Sequence, residues 1–229
     1  MKAMKSKKNT IIMGICLGML LVICAIVGHR LISDQDSLTK DFSQIDASSL
    51  PVTTMAATYV YDVTDKREAV DMADYVYIGK VLSNDGTVYE NIAPIERQNG
   101  EIEKIGDPYT KYTVQVLKNI KGELRMDRPV TLTKDGGIAQ DGESVLLYED
   151  DSLPQVGQSY VFLAYAQEDG SLPVSGADSN VFIGAGGNTK NNSAIVNSPE
   201  CAEYKKAMQN EIIPPQSEKS TSKYDANER

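Results

Sequence analysis

Residues 109–120, YTKYTVQVLKNI, alternate apolar and polar positions. Tyr112, Val114 and Val116 fall on one side, Lys111, Thr113 and Gln115 on the other. A period of two is the signature of a half-buried strand with one solvated face. Residues 75–82, YVYIGKVL, are β-branched and aromatic and read as a second strand, with Gly79 marking a bulge or sharp bend. Between them, 83–108 is polar with three glycines, and predicts a long hairpin built on Thr87, Val88, Tyr89 and Ile102. Further strands are expected over 129–134, with Val130 and Leu132 inward, over 144–148, and over 160–166, the last apolar throughout and so buried on both faces. Residues 172–175 and 181–183 complete the set, and Asp135-Gly136-Gly137, Asp141-Gly142 and Glu168-Asp169-Gly170 supply turns.

Two short stretches show helical spacing instead. Asp65 stands three residues before Glu68 in capping-box spacing, and Ala69, Val70 and Ala73 then form an apolar face. Near the other end, Pro199 opens a helix over 200–211 that Pro214-Pro215 would stop.

A different pattern occupies the start of the chain. Residues 11–28 form 18 consecutive uncharged, mostly apolar positions. As a helix they span roughly 27 Å, close to the ~30 Å hydrocarbon layer of a bilayer. Lys2, Lys5, Lys7 and Lys8 precede the run and only Arg30 follows closely, which predicts a cytoplasmic N-terminus and an extracytoplasmic remainder. A cleaved signal peptide is the alternative, but Ala25-Ile26-Val27-Gly28-His29 is a poor cleavage site. Leu21-Val22-Ile23-Cys24 is a loose lipobox, with Ile23 where a small residue belongs. Gly14 and Gly18 form G-x-x-x-G, the spacing of a helix-pairing face.

Charge sharpens this division. The chain carries 23 Lys and Arg against 32 Asp and Glu, a net of −9. Five of the basic residues and none of the acids lie in the first 30, leaving 18 against 32 beyond, a net of −14. An acidic exterior argues against nucleic acid and anionic lipid as ligands. Cys16 and Cys24 fall in the apolar run, so Cys201 has no external partner for an internal disulfide and is expected to be a quiet, partly buried thiol.

Few residues beyond the run suit catalysis. The one histidine, His29, sits at the membrane edge, so a nucleophile system based on imidazole has no base, and a zinc site would have no external imidazole. Calcium is the one metal worth weighing, with Asp135, Asp141, Glu143, Glu149, Asp150 and Asp151 as oxygen ligands in turn-rich sequence. No stretch matches an EF-hand loop, and turns attract Asp for local reasons, so no metal site and no cofactor are assigned. There are 12 tyrosines, and Tyr89 and Tyr109, in or beside the insertion, are the interface candidates.

The order of elements carries a resemblance. A helix ending Ala73-Asp74 leads into 75–82, then YTKYTVQVLKNIKG over 109–122, Val130–Thr133, GQSYVFL over 157–163 and GSLPV over 170–174. Over about 65–184 the chain resembles bacterial extracytoplasmic domains similar to the netrin/TIMP-like OB barrel. TIMP-type inhibitors use an N-terminal cysteine wedge and several disulfides; this chain has neither, so protease inhibition does not carry over.

The expectation is therefore a mainly β protein: a small OB-like β-barrel with a short N-terminal helix and a C-terminal helix, behind a single transmembrane helix. Its segments are a cytoplasmic stretch 1–10, an anchor 11–32, a stalk 33–58 on which Phe42, Ile45 and Leu50 dock locally, the barrel 59–184, an extension with a helix 185–213, and a disordered tail 214–229. The expected role is a membrane-anchored interaction module at a bacterial cell surface, with an unidentified protein or surface partner and no catalysis. The alternatives are a carboxylate-based hydrolase and a structural accessory subunit of a membrane complex.

Overall fold

A computed structural model describes residues 38–39, 42, 45–184, 191–212 and 220–227. The anchor 11–32, with Gly14 and Gly18, lies outside the described residues. Among those described, no helix is long and apolar enough to cross a membrane.

The chain is mainly β. Its strands are β1 (Leu38–Thr39), β2 (Val52–Met55), β3 (Tyr75–Glu96), β4 (Ile102–Lys121), β5 (Val130–Asp135), β6 (Gly137–Ile138), β7 (Val145–Tyr148), β8 (Ser159–Ala164), β9 (Pro173–Val174) and β10 (Asn180–Phe182). Its helices are α1 (Lys66–Met72), α2 (Asn192–Ile195) and α3 (Pro199–Met208). One mixed sheet runs β10-β8-β3-β4-β5-β9, with β1 added to β3, and a second runs β2-β7-β6. The long β3–β4 ribbon shifts register at five places, one of them at Gly79 as expected, and each shift adds twist and bend. A Cβ on Gly79 would stand 2.5 Å from Val114 Cγ1, which is why the bend holds a glycine.

The expected closed barrel is corrected: the main sheet curls but its ladder ends at β9. That strand is two residues long and begins with Pro173, which has no N–H to donate. Only single bonds cross the gap, Tyr165 N–H to the Pro173 carbonyl at 3.0 Å and Gln167 N–H to Ser171 at 3.1 Å. At the end of β5, Gly136, with φ 104°, diverts the chain into β6 and the second sheet.

Three cores result. Within the curl lie Tyr75, Tyr77, Tyr112, Val114, Leu132, Phe162 and Leu172. On the opposite face, Val76, Ile78, Val161 and Leu163 meet Ala69, Val70 and Ala73 of the α1 region and Cys201, Tyr204 and Ala207 of α3. Strand β8 is thus buried on both faces, and the Cys201 thiol is fully inside. Asp65 caps α1 by accepting from Arg67 N–H, while Glu68 bonds the Asp62 N–H at 2.9 Å rather than returning to its own cap. The third core is Ile138, Val145 and Leu147, on which Phe42, Ile45 and Leu50 do dock.

Two boundaries move. The stalk expected over 33–58 does not stand apart, because β2 pairs in parallel with β7 from Val52↔Val145 to Met55↔Tyr148. The disorder expected over 214–229 does not hold for 220–227, which bridges Leu124 through Asp225 and buries Ser222. Backbone bonds, the side chains of Ser222 and Asp225 and the Tyr224 ring, which packs on the first core, seat this polar segment.

Candidate functional site

The acidic turns do not gather into a metal centre. Among the described residues, no three His, Cys, Asp or Glu side chains are placed to hold an ion. Of the six calcium candidates, Asp151 is committed elsewhere: its Oδ2 lies 2.5 Å from Lys134 Nζ. Asp135 accepts from Ser175 Oγ at 2.9 Å and from the Tyr148 hydroxyl. Asp141 accepts from the Glu143 N–H at 2.9 Å, an Asx turn. Glu149 and Asp150 are exposed, and Asp150 takes a left-handed φ of 61°.

Lys134 is the residue that the sequence reading missed. Its signal was the strand period: Val130, Leu132 and Lys134 share the inward phase of β5. The ammonium also donates to Ser179 Oγ at 3.1 Å, and that hydroxyl donates to the Gly176 carbonyl at 2.6 Å. Burial pushes the pKa of Lys134 down and that of Asp151 up, and each partner's charge offsets the shift. In this arrangement Lys134 Nζ has two acceptors, and the Ser179 proton points away from it toward the Gly176 carbonyl. The trio ties β5 to the 149–152 loop and to the approach of β10.

The two tyrosine candidates part company. Tyr89 is corrected as an interface residue: it is fully buried, and its hydroxyl donates to the Ile138 carbonyl at 2.9 Å. Tyr109 is half-buried at the base of the insertion, where its hydroxyl accepts from Asn91 Nδ2 at 3.2 Å. Burial first, then the charges of Asp135 and Asp107, push its pKa up to about 12, so the phenol stays protonated.

The insertion itself is a projecting arm. Residues 90–107 pair with one another from Glu90↔Asp107 through Ala93↔Ile105 to Glu96↔Ile102. The tip closes through Arg97 N–H to the Glu101 carbonyl at 2.8 Å, and Arg97 also pairs with Glu103. Gln140 ties the base, accepting from Gly106 N–H at 3.0 Å and donating to the Lys104 carbonyl at 2.8 Å. Among the described residues no third strand pairs with the arm between these points, since β1 stops at Tyr89 and β5 at Thr110. Its outer part carries Ile95 and Ile102, the latter 73% exposed, among Glu90, Glu96, Glu101, Glu103 and Asp107. Gln140 occupies the β4 edge at Lys104 and Gly106, while among the described residues no strand covers the β3 edge over Glu90–Glu96; with its exposed apolar side chains and net negative charge, that edge is suited to adding a strand from a basic, partly apolar segment. Compared with known families and with curated proteins, the chain matches no family model and no curated sequence.

Proposed function

We propose that the chain is a membrane-anchored extracytoplasmic interaction module of the netrin/TIMP-like kind, acting at a bacterial cell surface by binding rather than by catalysis. The contact element is the 90–107 arm, and the single observation behind it is a two-stranded ribbon whose β3 edge carries no strand among the described residues and which presents Ile95 and Ile102 to solvent. A lone hairpin is marginal in water, and a partner strand would satisfy both its edge and its apolar tip. The partner segment is basic, to match the five acids and two bases over 90–107.

The test places a photo-crosslinking residue at Ile102 of the full chain in intact cells, and a second at exposed Asn210, in the turn after α3. The expected result is a discrete adduct from Ile102, absent from Asn210, that disappears when Glu96 and Glu103 are reversed to Lys. No adduct from Ile102, or the same adduct from both positions, rejects the arm as the contact element.

A further inference from the structure

The tail 220–227 is seated as a bound peptide would be. It runs antiparallel to 123–125, with Leu124 opposite Asp225, Arg125 N–H donating to the Tyr224 carbonyl at 2.9 Å and Ala226 N–H to the Glu123 carbonyl at 2.6 Å. At its other end Lys223 N–H and Ser222 Oγ both donate to the Gly170 carbonyl, at 3.1 and 2.8 Å, and Ser220 N–H donates to Asp74 Oδ1 at 3.1 Å. Main-chain bonds to a neighbouring segment, with side chains setting the fit, are the strand-addition mode of peptide recognition.

Each wall of the seat is held by bonds that do not involve the tail. Asn119 clamps Leu124, donating to its carbonyl at 2.8 Å and accepting its N–H at 3.3 Å. The 167–171 turn closes on itself through Gly170 N–H to the Gln167 carbonyl at 2.7 Å and Gln167 N–H to the Ser171 carbonyl at 3.1 Å. Asp74 is fixed by its N–H on the Ala164 carbonyl at 3.1 Å and by its Oδ2, which accepts the Ala166 N–H at 2.8 Å. Tyr75 stands in the β3–β8 ladder opposite Ala164. A seat built this way is preorganised for its occupant.

The fit is also particular to this sequence. The Tyr75 hydroxyl accepts the Ser222 N–H at 3.0 Å and donates to Asp225 Oδ2 at 2.8 Å. The Tyr224 ring packs on the first core and lies 4.8 Å beneath the Arg125 guanidinium. A Cβ on Gly170 would stand 2.7 Å from the Lys223 nitrogen, so the turn leaves room for the passing chain only as glycine.

We propose that this seat is a peptide-binding site for an extended Ser-Lys-Tyr-Asp segment, and that it takes residues 220–227 of a second copy of the chain in exchange for its own. The same contacts form whichever copy supplies the tail, so exchange costs only the association itself. Residues 213–219, which join the tail to the turn after α3, span up to about 25 Å, so a docked tail can belong to a neighbouring copy. The site is separate from the arm and does not rest on it.

The test uses the full chain in nonionic detergent with Tyr224→Ala and Asp225→Ala, which strip its own tail of the ring on the first core and the carboxylate on Tyr75. The probe is a fluorescein-labelled peptide of the sequence 220–227, read by anisotropy. The expected result is saturable binding to this variant, and binding about tenfold weaker or worse to the unaltered chain, whose own tail competes at high effective concentration. A peptide carrying the same two alanines should not bind. Ser222→Ala, which loosens the tail at one residue, repeats the measurement in case the double variant does not fold. For exchange between copies, chains with an intact tail and a photo-crosslinking residue at Asn227, which faces Glu123, are mixed with a tagged variant. The expected product joins two copies at 122–126 of the tagged one and is lost in excess peptide. No saturable binding to either variant, or equal binding of the alanine peptide, overturns the site. Peptide binding without a product joining two copies overturns the second copy as its occupant.

Discussion

Lys134 Nζ and Asp151 Oδ2 face each other at 2.5 Å with both side chains sealed from solvent. Removing one partner strands the other charge. Lys134→Met should cost about 3–5 kcal/mol of unfolding free energy, the range for a broken buried pair. The double change Lys134→Met, Asp151→Leu should recover most of that loss, because it also removes the stranded carboxylate. Denaturant unfolding of the single and double variants measures the difference. A double variant no better than the single one would mean that the pair's geometry, not its charge balance, holds the 149–152 loop.

What the sequence showed, and what it hid, divides along the range of the interactions. Tyr112, Val114 and Val116 turn inward because a strand alternates, and Ala69, Val70 and Ala73 are buried because a helix repeats. The Gly79 bend and the 83–108 hairpin are also local matters, and both were legible. Lys134 obeyed the same alternation, but its partner lies 17 residues away, and a lysine in an inward phase is readable only when that carboxylate is known. Tyr89 looks like an interface candidate in the sequence because the Ile138 carbonyl that receives its hydroxyl is 49 positions distant. The sheet's end at the two-residue β9, which begins with Pro173, depends on how that short strand meets β5 and β8, which no local pattern displays. Of the candidate site, the arm's existence was legible, whereas its uncovered β3 edge depends on where β1 stops among the described residues.

Asp135 gives the stability a pH dependence. Burial raises its pKa above the ordinary 3.8, with the Ser175 hydroxyl and Lys134 partly offsetting this. The folded chain therefore holds this proton more tightly than the unfolded chain does. Its contribution to stability is present below the unfolded value and is lost as pH rises through the folded one. Asp135→Asn keeps an acceptor for Ser175 and Tyr148 and removes the titration. The variant should gain on the unaltered chain as pH rises above the ordinary carboxylate value of 3.8, read as the difference in denaturation midpoint. A difference that stays constant as pH rises above 3.8 would show that burial does not raise the Asp135 pKa.

Tyr77 and Tyr112 keep their hydroxyls inside the curl with no hydrogen-bond partner, whereas the buried hydroxyl of Tyr89 has one. The same chemical change should therefore act in opposite directions. Tyr77→Phe removes an unpaired polar group and should stabilise by about 1 kcal/mol, while Tyr89→Phe orphans the Ile138 carbonyl and should destabilise by about as much. Thermal or denaturant unfolding of the two variants checks the signs, and a loss of stability in Tyr77→Phe would point to a bound water on that hydroxyl.

Ser222 decides whether the tail behaves as a separate cooperative unit. Its Oγ donates to the Gly170 carbonyl at 2.8 Å and accepts the Tyr224 N–H at 3.2 Å, while its own N–H donates to the Tyr75 hydroxyl at 3.0 Å. That hydroxyl in turn donates to Asp225 Oδ2 at 2.8 Å, closing a network over the end of the curl. Ser222→Ala leaves the Gly170 carbonyl and the Tyr224 N–H without their side-chain partner, a loss of about 1–2 kcal/mol. Tyr224 is the segment's one side chain packed on the first core and the rest is held by hydrogen bonds, so the loss should appear as local opening rather than global unfolding. Hydrogen exchange should then speed up together at Arg125, Lys223 and Ala226, whose amides bond across this seam, and stay unchanged in the β3–β8 ladder at Val76 and Ile78. Equal acceleration at both places would show that the tail is an integral part of the main sheet's core and cannot open alone.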